Sequence, residues 1–393
     1  MVTAKCLQKI RGKNNQIIGY KLQDTKGNIQ DFNSSFIKEQ IRAGNIHIIN
    51  MTLTSDNRLV DKKVKAQTQT GDINTTNIKN KETIDKESMQ KYIQKAKLIG
   101  KLIEIPTNCK HKCYLISRTP ENHILYIPDD VIQLNDGGYK PEFTNEIVNL
   151  EGHIKVIGGS NLANTDYMFQ HCKVKSIDLS NFDTSKVMSM VYMFRDCKAQ
   201  SIDFSGFNTS TVTKLHGMFL DCRATHLDLS SFDIGNVRSI DHMFSKCRAQ
   251  SIKFGKFNTS NVVVMEGAFS ECETQYLDLS SFDTRCVNNM KWMFSDCKAK
   301  SIKLSSFNTS FVGNMTHMFY CCEAQSLDLS NFDTRRVRHM DGMFSNCKAK
   351  VIDISNFETD WLEDINDMFL NCRAQIKARD NVILEELRRE GLI

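Results

Sequence analysis

The chain has 393 residues, of which 40% are hydrophobic and 25% charged, with a net charge of +5. This balance excludes a wholly disordered chain, which needs low hydrophobicity and high net charge. No window approaches the roughly 18–20 consecutive apolar residues of a membrane-spanning helix, and the length suits two or three domains.

The opening MVTAKCLQKIRGKNN has neither an apolar run nor a small-residue cleavage site, so the expectation is a cytoplasmic chain with no membrane contact. Its fourteen cysteines are then expected as reduced thiols. Residues 1–66 carry 12 Lys and Arg against 5 Asp and Glu, a net of +7. Residues 67–150 carry 11 of each sign, and residues 151–393 carry 28 against 30. The basic character therefore belongs to the first 66 residues, the candidate surface for a nucleic acid or an acidic partner. Within them CLQKIRG and IIGYKLQD read as strands around KNNQ, and IQDFN as a third. FIKEQIRA reads as a helix capped by Ser34 or Ser35, and IHIINMTLT as a last strand. The expectation is a basic ββαβ-like module over 1–61.

Residues 62–82 are polar and turn-rich, which predicts a linker. Residues 83–150 predict a small α+β adaptor domain, with a helix from about Ile84 to Leu102 and strands LIEIP, CYLIS, HILYIP and VIQLN. All four prolines (Pro106, Pro120, Pro128, Pro141) fall here. Cys109, His111 and Cys113 in NCKHKCY are the sharpest metal-like spacing. In an extended chain the two thiols would lie roughly 13 Å apart, too far for one tetrahedral zinc. No metal or cofactor is expected.

From residue 151 the sequence repeats. Met-Phe pairs begin at Met168, Met193, Met218, Met243, Met293, Met318, Met343 and Met368, with Ala268-Phe269 in the one gap. The step is 25 residues, giving nine frames without insertion. A cysteine stands four positions after each, from Cys172 to Cys372. In the first half of a frame, Ile202 and Phe204 alternate with Ser201, Asp203 and Ser205, the period of a half-buried strand. In the second half, Val187, Met190, Met193, Phe194 and Cys197 step by three, three, one and three, which predicts a short helix with Thr184 or Ser185 as N-cap. One such unit cannot bury its apolar face alone, but stacked units can. The predicted architecture is an α/β solenoid over 151–379, a parallel-sheet superhelix with short helices on its other face. HIKVIGGSNLANTDY is a shortened first repeat, and residues 380–393 are a capping helix with Val382, Leu384, Leu387 and Leu392 toward the core.

The string SIDLSNFDTSKVMSMVYMFRDCKA (residues 176–199) and its companions resemble the bacterial BspA-like leucine-rich repeats of surface proteins and mycoplasma lipoproteins, over about 150–380. The resemblance implies a curved leucine-rich-repeat solenoid that binds macromolecules. With no export signal evident, an internal protein partner is the expectation. The N-terminal opening is similar to those ahead of repeat domains in proteins of Firmicutes phages and mobile elements. That similarity implies an alternative role as inhibitor of a bacterial defence or nucleic-acid-handling complex.

The sequence holds no P-loop, dinucleotide fingerprint, HExxH or GxSxG, so a non-enzymatic protein is expected. Asp178, Asp203, Asp228, Asp278, Asp328 and Asp353 occupy one repeat position, with Lys253 and Lys303 in the fourth and sixth repeats. The cysteine ladder reads as core. A row after it (Lys173, Lys198, Arg223, Arg248, Lys298, Lys348, Arg373) is basic but interrupted by Glu273 and Glu323. Residues that vary between repeats are the candidate partner contacts. Tyr192, His242, Trp292 and His317 precede the Met-Phe pair, where Gly217, Gly267, Gly342 and Asp367 stand in later or intervening frames. His226 and Tyr276 replace serine on the strand face, beside Lys253 and Lys303.

Overall fold

The computed structural model describes the strands between Val2 and Asp61 by their backbone, and residues 86–98, 102–107, 111–134 and 146–393 except Lys256. Two compact units result, Met1–Glu82 and Thr83–Ile393. In the first, β1 (Val2–Arg11), β2 (Ile17–Asp24), β3 (Ile29–Asn33) and β4 (Ile46–Ile48) form a sheet in the order β3-β2-β1-β4. Strand β1 runs antiparallel to β2 and parallel to β4. A separate pair joins β5 (Met51–Leu53) to β6 (Leu59–Asp61), so the IHIINMTLT segment is two strands rather than one. The helix expected over FIKEQIRA and the linker expected over 62–82 lie outside the described residues.

The second unit opens with α1 (Lys86–Leu98), which lays Met89, Ile93 and Ala96 against Ile116, Ile124, Tyr126 and Ile157. These three are spaced four and three apart, the stripe of an amphipathic helix. Strands β7 (Leu102–Pro106), β8 (Lys112–Thr119) and β9 (Asn122–Ile127) form an antiparallel meander. VIQLN, expected as a strand, is irregular through Leu134, with Val131 and Leu134 buried. Strand β9 pairs in parallel with β10 (His153–Gly158), β10 with β11 (Ser176–Phe182), and β11 with β12 (Ser201–Asp203). Strands β7, β8 and β9 of the expected adaptor thus share one continuous sheet with the first coils, and fall in one compact unit with the solenoid.

Beyond β12 each frame except that of Ser326–Asp328 contributes a three-residue strand whose middle residue is turned inward, buried or half-buried. β13 (His226–Asp228) pairs with β14 (Ser251–Lys253), β15 (Tyr276–Asp278) with β16 (Ser301–Lys303), and β17 (Val351–Asp353) with β18 (Gln375–Lys377). All are parallel, and the first two pairs are in register at 25 residues, as in Leu227↔Ile252. The Asp at the strand end closes the following turn. Asp228 accepts from the Ser230 N–H (3.0 Å), and Asp178, Asp203, Asp278, Asp328 and Asp353 repeat the bond.

The helices expected in the second half of each frame do not form. Among the described residues no helix lies between β10 and the C-terminal α2 (Asn381–Arg389). The apolar spacing is real, and Val187, Met190, Met193, Phe194 and Cys197 are all buried. The backbone that carries them is a run of tight turns bonded alternately within the coil and to the next. Met193 N–H donates to Met190 O (3.3 Å), and Phe194 N–H donates to Met218 O (2.9 Å), one coil on. The residue before Met-Phe has φ between 51° and 62° in all nine frames, and the residue before the ladder cysteine between 49° and 58°. Two left-handed residues four apart cannot sit inside a right-handed helix of L-residues. The solenoid is therefore a parallel β-solenoid, with a second lane of parallel bridges, such as Asn289↔Asn314, where helices were expected.

Two ladders tie the coils together. Phe169, Phe194, Phe219, Phe244, Phe269, Phe294, Phe319, Phe344 and Phe369 form one stack, with neighbouring centroids 5.2–5.8 Å apart and planes within 11°. Thr184, offered above as a helix cap, instead spans coils. Its hydroxyl donates to Asn208 O (2.9 Å) and accepts from Asn208 N–H (2.8 Å). Thr209, Thr259, Thr284, Thr309 and Thr334 do the same. At the end Thr359 donates to the Asp380 carboxylate (2.8 Å), and Asp380 also caps α2 through Val382 N–H and Ile383 N–H. Helix α2 closes the core with Ile383 and Leu387.

Candidate binding groove

Four of the eight sequence candidates stand in one row. Tyr192, His242, Trp292 and His317 hold the left-handed position before Met-Phe, with φ of 54°, 51°, 57° and 54°. Gly217, Gly267 and Gly342 fill that position in the frames after Tyr192, His242 and His317, for two reasons. Glycine adopts the conformation without strain, and the preceding ring occupies the space of its Cβ. A Cβ on Gly217 would lie 2.2 Å from Tyr192 Cε1, one on Gly267 2.5 Å from His242 Cε1, and one on Gly342 2.7 Å from His317 Nε2. A ring and the glycine after it thus form a two-coil unit.

Tyr192, His242 and Trp292 line one depression of about 400 Å³ with Leu220, Ser245, Lys246, Ser270, Glu271, Ser295 and Asp296. The strand spacing of about 4.8 Å places successive rings roughly 10 Å apart. Small serines between them keep the floor low. Trp292 is 38% exposed, with the Lys291 ammonium over its ring at 4.1 Å. Glu271 and Asp296 of the second left-handed row line the groove, with Lys246 paired to Glu271 at 3.3 Å, while Asp196 and Asp221 of the same row pair with Lys198 and Arg248. Burial pushes the Asp196 carboxyl up, but Lys198 and His171 outweigh it and hold it below the usual range.

The sequence reading missed the group that fixes Tyr192. The phenol oxygen contacts His216 Nε2, and His216 Nδ1 contacts the Asp241 carboxylate, in an unbroken Tyr–His–Asp chain over three coils. Burial raises the Asp241 carboxyl, but hydrogen bonds from His216 and Ser239 bring it below its ordinary value. The signal was the 25-residue offset from His216 to Asp241, which the structure turns into a lateral contact. His317 lies outside the depression, its Nδ1 3.5 Å from Asp341 Oδ2 without hydrogen-bond alignment.

The other four candidates lie elsewhere, on the strand face. His226 shares a hydrogen bond with Ser251 (2.8 Å). Lys253 pairs with Asp228 (3.2 Å) and Lys303 with Asp278 (2.9 Å). Tyr276, 46% exposed, donates to Asp278 (3.3 Å) and lies under the Lys303 ammonium at 5.5 Å. Structure therefore separates the eight residues into two faces.

Cys113 is buried in the core, His111 pairs with Asp130 (2.8 Å), and Cys109 lies outside the described residues. No cluster of three His, Cys, Asp or Glu side chains suited to a metal occurs among the described residues. The nine ladder cysteines are buried free thiols. Burial pushes Cys222 and Cys322 up to about 12, so they remain protonated and pack as small apolar groups. No helix among the described residues is long and apolar enough to cross a membrane.

A family described as "Mycoplasma protein of unknown function, DUF285" matches the chain in three overlapping stretches, residues 163–276, 227–326 and 263–381. No curated protein and no solved structure matches it.

Proposed function

The chain belongs to that DUF285 family, and from this premise we propose that it is a non-enzymatic binding protein whose solenoid holds a protein partner in the groove of Tyr192, His242 and Trp292. The observation that carries the reading is the alternation of ring and glycine, which builds a row of fixed aromatic anchors over a low serine floor. Anchors already held in place lose little freedom on binding, and Trp and Tyr are frequent hot spots. The resemblance to BspA-like repeats supports a macromolecular ligand. The test is affinity capture of the tagged chain from nuclease-treated bacterial lysate, compared with Tyr192→Gly/Trp292→Gly. Glycine is the replacement that the chain itself uses at this position, so the coil is preserved. A captured protein lost by the variant supports the groove; the same proteins held equally by both removes it.

The +7 charge of residues 1–66 favours a second reading, a nucleic-acid-associated regulator acting through that segment. Binding of DNA or RNA that falls steeply with salt is its expected signature, and no binding at low salt ends it.

A further inference from the structure

The last two coils frame a cleft of about 680 Å³, lined by Asn346, Lys348, Lys350, Asn371 and Arg373 together with Cys347, Ala349 and Cys372. Cations recur on these rows along the whole solenoid, and elsewhere most are neutralised. Lys198 pairs with Asp196, Arg248 with Asp221 (3.3 Å), and Lys298 and Lys300 with Glu323. The row that supplies Asp196, Asp221 and Asp296 changes at the end to Asn346 and Asn371, at the same left-handed φ of 56°. Carboxylate is exchanged for amide while the cations persist. Lys348, Lys350 and Arg373 make no ion pair among the described residues. Glu323 is already shared by two lysines, and Glu390 of α2 accepts from Phe369 N–H (3.0 Å).

A second observation is independent of charge. In seven successive frames the residue after the ladder cysteine donates its N–H to the previous cysteine carbonyl at 2.8–3.0 Å, from Lys198 to Lys348. No such bond joins Arg373 to Cys347. That leaves the Arg373 N–H without a backbone partner at the cleft, although the coils stay joined two residues on, where Gln375 N–H donates to Lys350 O (2.8 Å). Three cations, an unpaired backbone N–H and two side-chain amides are a donor set with no carboxylate in it. Oxyanions are what such a set binds, because each contact is a charge-assisted or N–H hydrogen bond to oxygen.

We propose that the cleft between the last two coils, framed by Lys348, Lys350, Arg373, Asn346 and Asn371, binds a multiply charged phosphate group. A diphosphate fits the three positive charges and leaves room for the rest of its molecule. The proposal stands apart from the groove and does not depend on it.

The test titrates the full chain at low ionic strength with sodium pyrophosphate by calorimetry. A parallel arm measures sedimentation with phosphatidylcholine vesicles, with and without phosphatidic acid. The decisive variant is Asn346→Asp/Asn371→Asp, which restores the carboxylates of the earlier coils and so keeps a backbone the chain already tolerates at Asp196, Asp221 and Asp296. It is expected to weaken binding by roughly tenfold or more, as is Lys348→Gln/Arg373→Gln. Lys298→Gln, which removes an already paired cation, is expected to leave it unchanged. Binding of pyrophosphate alone identifies a soluble phosphate ligand, and binding of phosphatidic acid vesicles a lipid headgroup. Binding of neither probe, or equal binding by wild type and both double variants, overturns the proposal.

Discussion

At Gly217 a backbone demand and a packing demand fall on one atom. Its φ of 55° disfavours any side chain, and the Tyr192 ring fills the place of a Cβ. Gly217→Ala is therefore expected to cost about 2–4 kcal/mol, about 1–2 from the left-handed conformation and the rest from displacing the ring. In a Tyr192→Gly background only the conformational part remains, so denaturant unfolding of the four chains should show a coupling of about 1–2 kcal/mol between positions 25 apart. Simple additivity would mean that the ring does not hold that space. The alternation of ring and glycine was legible in the sequence, but only as variation. Its cause was not, since backbone sign and the neighbour one coil away are both invisible to a local reading.

Elements show the same limit from the other side. An apolar residue every third position fits one face of a helix and equally fits the inward corners of a stacked coil. Spacing from Val187 to Cys197 could not decide between them. The deciding signal was present: Gly217, Gly267 and Gly342 in one row, and Asp196, Asp221, Asp296, Asn346 and Asn371 in another, are the residue types that left-handed positions favour. The C-terminal helix was legible in part: it follows Asp380, a local capping motif, but Val382 and Leu392, expected toward the core, are exposed, and Ile383 is buried with Leu387. Its C-terminal end carries a pH dependence. Burial, with the nearby Glu386 and Asp367, pushes the Glu390 carboxyl from 4.5 up to about 7, against the Phe369 N–H bond and beside Arg389. The native state then holds a proton that the unfolded chain releases at lower pH. The resulting stability is complete below about pH 4.5 and is lost as pH rises through about 7. Amide exchange in α2 should quicken on going from pH 6 to pH 8 beyond the intrinsic rate, and Glu390→Gln should abolish that excess. An excess that survives the substitution would assign it to another group.

Across the nine Met-Phe frames the governing quantity is the 25-residue register. Each coil contacts its neighbours alone, so stability is a sum of coil and interface contributions. Deleting residues 301–325 is expected to give a folded chain one coil shorter, with the Phe and Thr ladders rejoined; deleting one residue more or fewer should collapse everything beyond the cut. Circular dichroism and thermal melts separate these cases, and equal melts for all three deletions would deny that register governs. The repeat and its count were legible because identity at a fixed interval needs no structural knowledge. The groove was half legible: its rings were named as contacts, but four strand-face residues were grouped with them, because sequence gives the row and not the face.

The Thr ladder also has no inherent last rung. Each coil offers the next the same hydroxyls, carbonyls and Phe faces that it received, so nothing in the repeat sets its number. Asp380, by taking the Thr359 hydroxyl and starting α2, closes that series. The C-terminal tail is in this sense a chain terminator, and a molecule that lost it would present a growing end on which other strands could add as a fibre.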